Sequence, residues 1–163
     1  MIIRLLEIDE LESVTRLLQE VILDMREKGI DQWDEIYPPP SMLANDIQAR
    51  TLFGGFAGAE LCGLMVLNET QSPEYGSIRW NYPKKPLIVH RVCTRPSYLK
   101  KGVASNLMKF AENHAIQNGY DSIRLDAFVK NTTSVAFYRK LEYVEVGRVN
   151  FRKGEFFCFE KEV

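Results

Sequence analysis

The spacing of apolar residues along the chain predicts alternating strands and helices. Apolar positions between Leu11 and Met25, and again after Gly102, recur with the spacing of one helix face. Shorter apolar runs rich in branched residues are typical of strands. The predicted strands are 2–6, 51–58, 61–67, 86–94, 122–129, 143–149 and 155–160. Four helices are predicted: one that begins after Asp9, one over 42–49, one that begins after Gly102, and one over 133–141. This order predicts a mixed α/β (α+β) fold.

Two segments of the chain show neither the apolar spacing of a helix nor the apolar run of a strand. In residues 29–40, Gly29 ends a helix, and we expect Pro38 to Pro40 to exclude regular structure. Residues 69–85 are polar with interspersed aromatic residues, which is typical of a long excursion between strands. Both segments are therefore expected to be irregular.

Length and charge limit the classes of function. The 163 residues, of which 45% are hydrophobic, suffice for one domain with a core, predicted over 1–163. The 21 basic and 22 acidic residues leave a net charge of -1, which favours neither nucleic acid nor an anionic membrane as a partner. Any anion site must therefore be local.

The cysteines and the N-terminus bear on the compartment. Cys62, Cys93 and Cys158 are far apart and have no CxxC or metal-ligand spacing. We interpret them as buried thiols in a reducing compartment and predict no metal. Acidic residues come too early for a signal peptide, and no apolar run reaches membrane-spanning length. The sequence therefore predicts a cytoplasmic protein.

The stretch PSYLKKGVASNLMKF, residues 96–110, places a glycine where a helix starts. The first turn of a helix has unpaired backbone N–H groups and a partial positive charge, and Gly102 lets an anion approach the backbone. Lys100 and Lys101 add positive charge at the rim. The alternative is an ordinary tight turn with solvated lysines.

A second informative stretch is VKNTTSVAFYRKLEYVEVG, residues 129–147. Asn131 follows a strand end, where its amide can contact a ligand, and Thr132 or Thr133 is the expected cap of the next helix. Tyr138 lies about two helical turns beyond Asn131, so its phenol is predicted to face the same cleft. The alternative for Tyr138 is packing beside Phe137.

The two stretches together resemble a known family, the GNAT superfamily of acyl-CoA-dependent N-acetyltransferases. HRVCTRPSYLKKGVASNLM is similar to its motif A, and NTTSVAFYRKLEY is similar to its motif B. Leu99 stands where the family prefers arginine or glutamine, and Glu142 stands where glycine usually ends the motif B helix. The resemblance implies a mostly antiparallel central sheet with a splayed parallel strand pair, flanked by helices.

The resemblance also implies a reaction and its site. Acetyl-CoA would be the co-substrate, and its acetyl group would pass directly to a primary amine in a ternary complex, without a metal. Tyr138 would be the general acid for the departing thiolate, the backbone around Lys100 to Ala104 would hold the pyrophosphate, and Asn131 would contact the pantetheine arm. The implied cofactor-binding residues are Val92, Cys93, Thr94, Leu99, Lys100, Lys101, Gly102, Val103, Ala104, Asn131, Ser134 and Tyr138.

The general base is less defined by the sequence. His90 is the candidate, because an imidazole titrates near neutral pH. A water relay to a carboxylate or an amine that arrives neutral would also serve, and His90 would then be a hydrogen-bonded residue of a packed strand. Cys93 as an acyl-carrying nucleophile lacks a histidine and carboxylate partner by spacing.

The candidate residues for binding the acceptor amine are aromatic residues of the two irregular segments. Trp33 and Trp80 are predicted to line an acceptor pocket for a small-molecule or peptide amine. Tyr37, Tyr75 and Tyr82 are expected to anchor their segments to the core or to a homodimer contact. A second hypothesis is a catalytically silent acyl-CoA-binding or regulatory module of the same fold.

Overall fold

The computed structural model describes residues 1–163 and contains seven strands and four α-helices. The strands are β1 (Ile2–Leu5), β2 (Leu52–Ala57), β3 (Glu60–Asn68), β4 (Pro86–Thr94), β5 (Ser122–Phe128), β6 (Val144–Phe151) and β7 (Gly154–Glu162). The helices are α1 (Leu11–Glu27), α2 (Pro40–Gln48), α3 (Val103–Gln117) and α4 (Thr132–Lys140). The predicted order of strands and helices is confirmed. Short 3₁₀ turns lie at Ile8–Glu10, Pro73–Ser77 and Pro96–Tyr98.

The strands form one mixed sheet in the order β1-β2-β3-β4-β5-β7-β6. The pairs β1–β2, β2–β3, β5–β7 and β6–β7 are antiparallel, whereas β4 and β5 are parallel. The parallel register covers Pro86 to Ile88 against Ser122 to Arg124, and the next two residues of each strand do not pair with each other. The predicted mostly antiparallel sheet with a splayed parallel pair is therefore confirmed.

The chain forms two compact units, and β4 and α3 contribute residues to both. Unit 1 comprises residues 1–67 and 91–111, and unit 2 comprises residues 68–90 and 112–163. The prediction of one domain over 1–163 stays a prediction.

Unit 1 has an apolar core built from helix faces and strands. Helical periodicity gives α1 one apolar face, and that face is buried together with apolar residues of α2, β2 and β3. The core residues are Leu6, Val14, Leu17, Leu18, Val21, Met25, Trp33, Leu43, Ile47, Leu52, Phe56, Leu61, Leu64, Val66 and Cys93.

Unit 2 is held together by β5, β7 and α4. Residues on β5 and β7 alternate between the two faces of the sheet, so one face carries Leu125 and Phe159 and the other carries Arg124 and Glu160. The ring centroid of Tyr138 on α4 lies 6.0 Å from that of Phe159, so α4 packs on the apolar face. The opposite face carries the polar residues.

Three local expectations are wrong at helix starts. Helix α2 begins at Pro40 and not at residue 42, because proline at the first helical position removes only an N–H that has no partner there. Asp9 lies inside a 3₁₀ turn before α1, and there the amide of Glu7 donates to the carboxylate of Glu10 at 2.9 Å. The cap of α4 is Asn131, not Thr132 or Thr133.

Candidate functional site

The backbone at the start of α3 in unit 1 is open to solvent at Gly102. Lys100 and Gly102 both have positive φ angles, +61° and +80°. A Cβ placed on Gly102 would have only the side-chain Nδ2 of Asn106 within 4 Å, at 3.9 Å. The backbone N–H groups of residues 102–105 donate to no acceptor in the protein, since the first bond of this helix runs from the Asn106 amide to the Gly102 carbonyl. Such a cluster of free N–H groups fits a phosphate.

Neighbouring contacts hold the start of α3 in place. The Glu60 carboxylate accepts hydrogen bonds from the Tyr98 hydroxyl at 2.6 Å and from Arg95 at 2.7 Å. On β3, a Cβ on Gly63 would lie 2.7 Å from Val103 and 2.8 Å from the Cys93 carbonyl oxygen, so only glycine allows this close approach. These contacts fix the start of α3 against β3 and β4.

The six residues predicted to hold the phosphate lie at the start of α3. Leu99, Lys100, Lys101 and Gly102 are exposed, Val103 is buried, and Ala104 is half-buried. The Lys101 ammonium lies 4.8 Å above the Tyr98 ring centroid. The structure therefore brings these six predicted residues together on one loop and helix start, and their role in binding stays a prediction.

Strand β4 has a sharp irregularity at Arg91, whose φ angle is +54°. The guanidinium is buried, forms an ion pair with Asp46 of α2, and donates to the Tyr37 hydroxyl at 3.2 Å. A residue with positive φ inside a strand redirects the residues that follow it. The ion pair therefore holds the direction in which Val92, Cys93 and Thr94 continue.

Burial decides the chemistry of Cys93. Removal from water raises the pKa of its thiol to about 12. The thiol stays protonated at neutral pH, and only the thiolate is a good nucleophile. Cys93 is therefore unsuited to carry an acyl group, although its backbone remains a predicted cofactor contact.

In unit 2, the Nε2 atom of His90 faces two hydrogen-bond acceptors. Its Nε2 lies 2.9 Å from Asn68 Oδ1 and 3.1 Å from the Thr70 carbonyl oxygen. Asn68 Oδ1 also accepts from the Thr70 amide at 2.9 Å, which identifies that atom as the oxygen. Both neighbours of Nε2 are acceptors, so Nε2 carries a proton.

The structure brings Asn131 and Ser134 together as a helix cap. Asn131 Oδ1 accepts the Ser134 amide at 3.2 Å at the start of α4. The side chain of Asn131 is thereby oriented by the helix that it precedes. The cap was missed from the sequence because asparagine and threonine are both good caps, and their order alone does not decide between them.

Tyr138 is buried on α4, with 7% of its surface exposed. Its ring packs against Phe137, Tyr143 and Phe159, with centroid distances of 5.3, 6.0 and 6.0 Å. The ring therefore has a packing role. Its role as general acid stays a prediction.

The two tryptophans lie in different surroundings. Trp33 is buried in the core of unit 1. Trp80 is half-buried and lines a pocket of about 390 Å³ in unit 2, together with Tyr75 and Arg124. The Arg124 guanidinium lies 4.3 Å above the Trp80 ring centroid, and the indole N–H donates to the Tyr75 carbonyl at 3.2 Å. Substrate contact stays a prediction for both.

Sequence reasoning missed one titratable group, Asp126 on β5. Its carboxylate accepts a hydrogen bond from the Tyr75 hydroxyl at 2.7 Å, and burial raises its pKa to about 6. Its sequence signal was a carboxylate in the middle of the predicted strand 122–129. The partner, Tyr75, is distant in sequence, so the pair was not visible without the fold.

Comparison with known proteins gives the family. The model of the acetyltransferase (GNAT) family matches residues 22–143, which include the α3 start, His90 and Tyr138. The chain belongs to the GNAT acetyltransferase family. It is therefore an acetyltransferase, and the family supports binding of acetyl-CoA and transfer to small-molecule or peptide amines.

Individual relatives of this GNAT acetyltransferase are distant in sequence. It is 22% identical to the uncharacterized N-acetyltransferase YesJ of Bacillus subtilis, over 95% of this chain and 86% of YesJ. A GNAT family acetyltransferase of Streptococcus agalactiae has a similar fold, with a TM-score of 0.85, 21% identity, and coverage of 99% of this chain and 95% of that one. The PaiA N-acetyltransferase of Thermoplasma acidophilum, solved in complex with coenzyme A, gives a TM-score of 0.73, 22% identity, and coverage of 99% and 98%.

The structure lacks two features. No helix is both long and apolar enough to cross a bilayer. No group of three or more histidine, cysteine or acidic side chains is arranged to hold a metal ion.

Proposed function

We propose that this protein transfers the acetyl group of acetyl-CoA to a primary amine by direct attack in a ternary complex. The observation that carries the proposal is the open backbone at Gly102. The N–H groups there have no acceptor in the protein, and glycine has no side chain that would block a ligand from reaching them. That arrangement suits the pyrophosphate of CoA. A silent acyl-CoA-binding module would also need this feature, but the chain retains titratable groups for turnover.

The proposed cofactor contacts fall into two groups, those to the pyrophosphate and those to the pantetheine arm. In unit 1, Leu99 to Ala104 hold the pyrophosphate, and the backbone of Val92 to Thr94 pairs with the pantetheine arm. In unit 2, Asn131 donates its side-chain amide to that arm, and Ser134 keeps Asn131 oriented through the helix cap. The lysines at 100 and 101 add charge, which the exposed Leu99 does not.

His90 and Tyr138 are the proposed acid–base pair. His90 Nδ1 removes a proton from the acceptor nitrogen, since Nε2 is already a donor to Asn68 and Thr70. The neutral amine attacks the thioester carbonyl, the C–N bond forms, and the C–S bond breaks. The Tyr138 hydroxyl gives its proton to the leaving sulfur, and the second proton on nitrogen returns to the phenolate.

The test of this function is release of free CoA thiol from acetyl-CoA in the presence of a panel of amines. The panel contains aliphatic amines, amino acids, peptides with free N-termini and aminoglycosides. We expect at least one amine to give thiol release and an acetylated product of matching amount. Binding of CoA without release for every member would favour the silent module.

Replacing Gly102 with valine is expected to abolish the rise in melting temperature that CoA causes. A ligand that binds the native state stabilises it by mass action, and the new side chain would occupy the open space that the phosphate needs. Thermal unfolding with and without CoA measures the effect. Gly29 provides a matched control, because its φ of +72° and open surroundings impose the same backbone strain.

In that comparison, Gly102→Val and Gly29→Val should both lower the melting temperature of the free protein. Only Gly102→Val should lose the shift with CoA. If both variants kept the shift, the α3 start would not be the phosphate site.

Replacing His90 with glutamine is expected to lower kcat and to remove an ionisation near neutral pH from the pH profile of kcat. The profile of kcat reports groups in the complex with substrate, and glutamine has no titratable nitrogen. Acetyl-CoA affinity should not change. His114, the only other histidine, provides the control: His114→Gln should keep the ionisation. Full activity of His90→Gln with the wild-type profile would return His90 to a packing role.

A further inference from the structure

Asp126 occupies a defined place at the splay of the parallel pair. The β4–β5 register ends with Ile88 opposite Arg124, and His90 and Asp126 each lie two residues further along. Side chains alternate along a strand, so His90 and Asp126 belong to the same sheet face as the last paired residues. Two titratable groups therefore stand at corresponding positions, one on each strand, where pairing has stopped.

The carboxylate of Asp126 has a hydrogen-bond partner but no cation. Tyr75 donates to Oδ2 at 2.7 Å, and burial and this hydrogen bond are the only causes of the shift in the pKa of Asp126, with no contribution from a neighbouring charge. Asp126 itself is half-buried, so the residue is not closed off from solvent.

The neighbouring carboxylate on the same sheet face, Glu160, already has a cation beside it. Glu160 on β7 receives the Arg124 Nε at 3.3 Å and the Asn81 amide at 2.7 Å. The other nitrogens of Arg124 donate to Gln71 and to the Tyr82 carbonyl, each at 2.8 Å. Each nitrogen of Arg124 thus has an acceptor other than Asp126.

The other groups that face Asp126 are uncharged at neutral pH. Cys158 is its register partner on β7, and burial raises the pKa of that thiol to about 12. Burial also holds the pKa of Tyr75 well above its ordinary value. Since the pKa of Asp126 is about 6, the carboxyl group is mostly ionised at pH 7. A partly desolvated carboxylate without a cation is unfavourable until a cation binds.

We propose that the Asp126 carboxylate binds the protonated amine of the acceptor, with Tyr75 as the residue that positions it. This inference rests on the proposed function and names the substrate class: an aliphatic amine that is an ammonium ion at neutral pH. The ammonium donates an N–H to Oδ1, His90 removes one proton, and the neutral nitrogen attacks. Aromatic amines, which are neutral at this pH, gain nothing from the carboxylate.

The kinetic test is Asp126→Asn, with the aliphatic amine that reacts fastest in the panel. Loss of a charge-assisted hydrogen bond is expected to raise KM for the amine roughly 10- to 100-fold, with kcat changed by less than about threefold. The affinity for acetyl-CoA should not change. Asp121 is the matched control, since it is also half-buried and accepts one hydrogen bond, from the Lys85 amide at 3.0 Å. An unchanged KM in Asp126→Asn would overturn the proposal.

The pH dependence separates positioning from simple packing. The hydrogen bond from Tyr75 lowers the pKa of Asp126, so Tyr75→Phe should raise it. Amine binding needs the ionised carboxyl, so KM for the amine should rise as the pH falls through about 6 in the wild type. In Tyr75→Phe the same rise should begin at higher pH. If Tyr75→Phe only loosened the segment that carries residue 75, the pH at which KM for the amine rises would not change.

A measurement without turnover separates this inference from the proposed function. The Asp126 carboxyl carbon is titrated by ¹³C NMR in the intact protein, with and without n-butylamine, and Asp126→Asn identifies the resonance. Binding of the ammonium should lower the pKa by at least about one unit, because an opposite charge favours the ionised form. n-Butanol, a neutral analogue, should have no effect. Absence of any shift with n-butylamine would refute the amine subsite even if acetyl transfer were observed.

Discussion

Replacing Tyr138 with phenylalanine is expected to lower kcat by roughly 10²- to 10⁴-fold, the usual range for loss of a general acid. Negative charge develops on the CoA sulfur as the C–S bond breaks, so a donor there stabilises the transition state more than the ground state. Phenylalanine keeps the ring, and the buried contacts with Phe137, Tyr143 and Phe159 should survive. Acetyl-CoA binding should therefore be nearly unchanged.

The measurement belongs in single-turnover conditions, because slow product release would hide a loss in the chemical step. Tyr143 is the matched control: it is buried in the same unit, and its hydroxyl donates to Glu112 at 3.3 Å. Tyr143→Phe loses that hydrogen bond and should retain the rate of transfer. Wild-type transfer by Tyr138→Phe would mean that another donor protonates the thiolate.

The fold was largely predictable because its determinants are local. The apolar face of α1 and the branched runs of β4 and β5 each lie within one short segment, and periodicity in such a segment indicates the element directly. The error at α2 was local too. Consecutive prolines were taken to exclude structure, although Pro40 at the first helical position costs no hydrogen bond.

The candidate site was only partly predictable because its other determinants are long-range. Gly102 and Asn131 were identified because each stands at a recognisable boundary between elements. Asp126 was missed because its partner, Tyr75, comes from the irregular segment before β4. Pairing between residues so distant in sequence is decided by the fold and leaves no short motif.

Glu142 illustrates how a departure from a family motif is accommodated. It adopts a φ of +66° just after α4, the conformation that glycine adopts most easily. The Glu142 amide donates to the Arg139 carbonyl at 3.0 Å, and the Tyr143 amide donates to the Tyr138 carbonyl at 3.1 Å. These two bonds form a Schellman cap, so the helix carrying Tyr138 ends normally despite the missing glycine.

Replacing Asp46 with alanine is expected to lower the free energy of unfolding by roughly 3–5 kcal/mol, as when one partner of a buried ion pair is removed. The side chains of Arg91 and Asp46 are only 8% and 14% exposed. Without Asp46, the guanidinium would be a buried charge with only the Tyr37 hydroxyl and the Met42 sulfur beside it. The positive φ of Arg91 would also lose the contact that holds it.

Denaturant unfolding measures this loss, and Asp24 on α1 provides the control. Asp24 forms an ion pair with Lys28 at 2.5 Å, but the side chain of Lys28 is 50% exposed. Asp24→Ala should therefore cost less than about 0.5 kcal/mol. The expectation for Asp46→Ala fails if its loss is as small as that of the control.

A double variant tests whether the buried charge is the cause of that loss. Asp46→Leu alone should be strongly destabilised, because it leaves Arg91 charged and unpaired. Asp46→Leu combined with Arg91→Met replaces both charges by apolar groups, and such replacements are often close to neutral. The double variant should therefore be more stable than Asp46→Leu, a non-additivity expected only for residues in contact. Equal stability of the two would assign the loss to helix α2 itself, and not to the ion pair that directs β4.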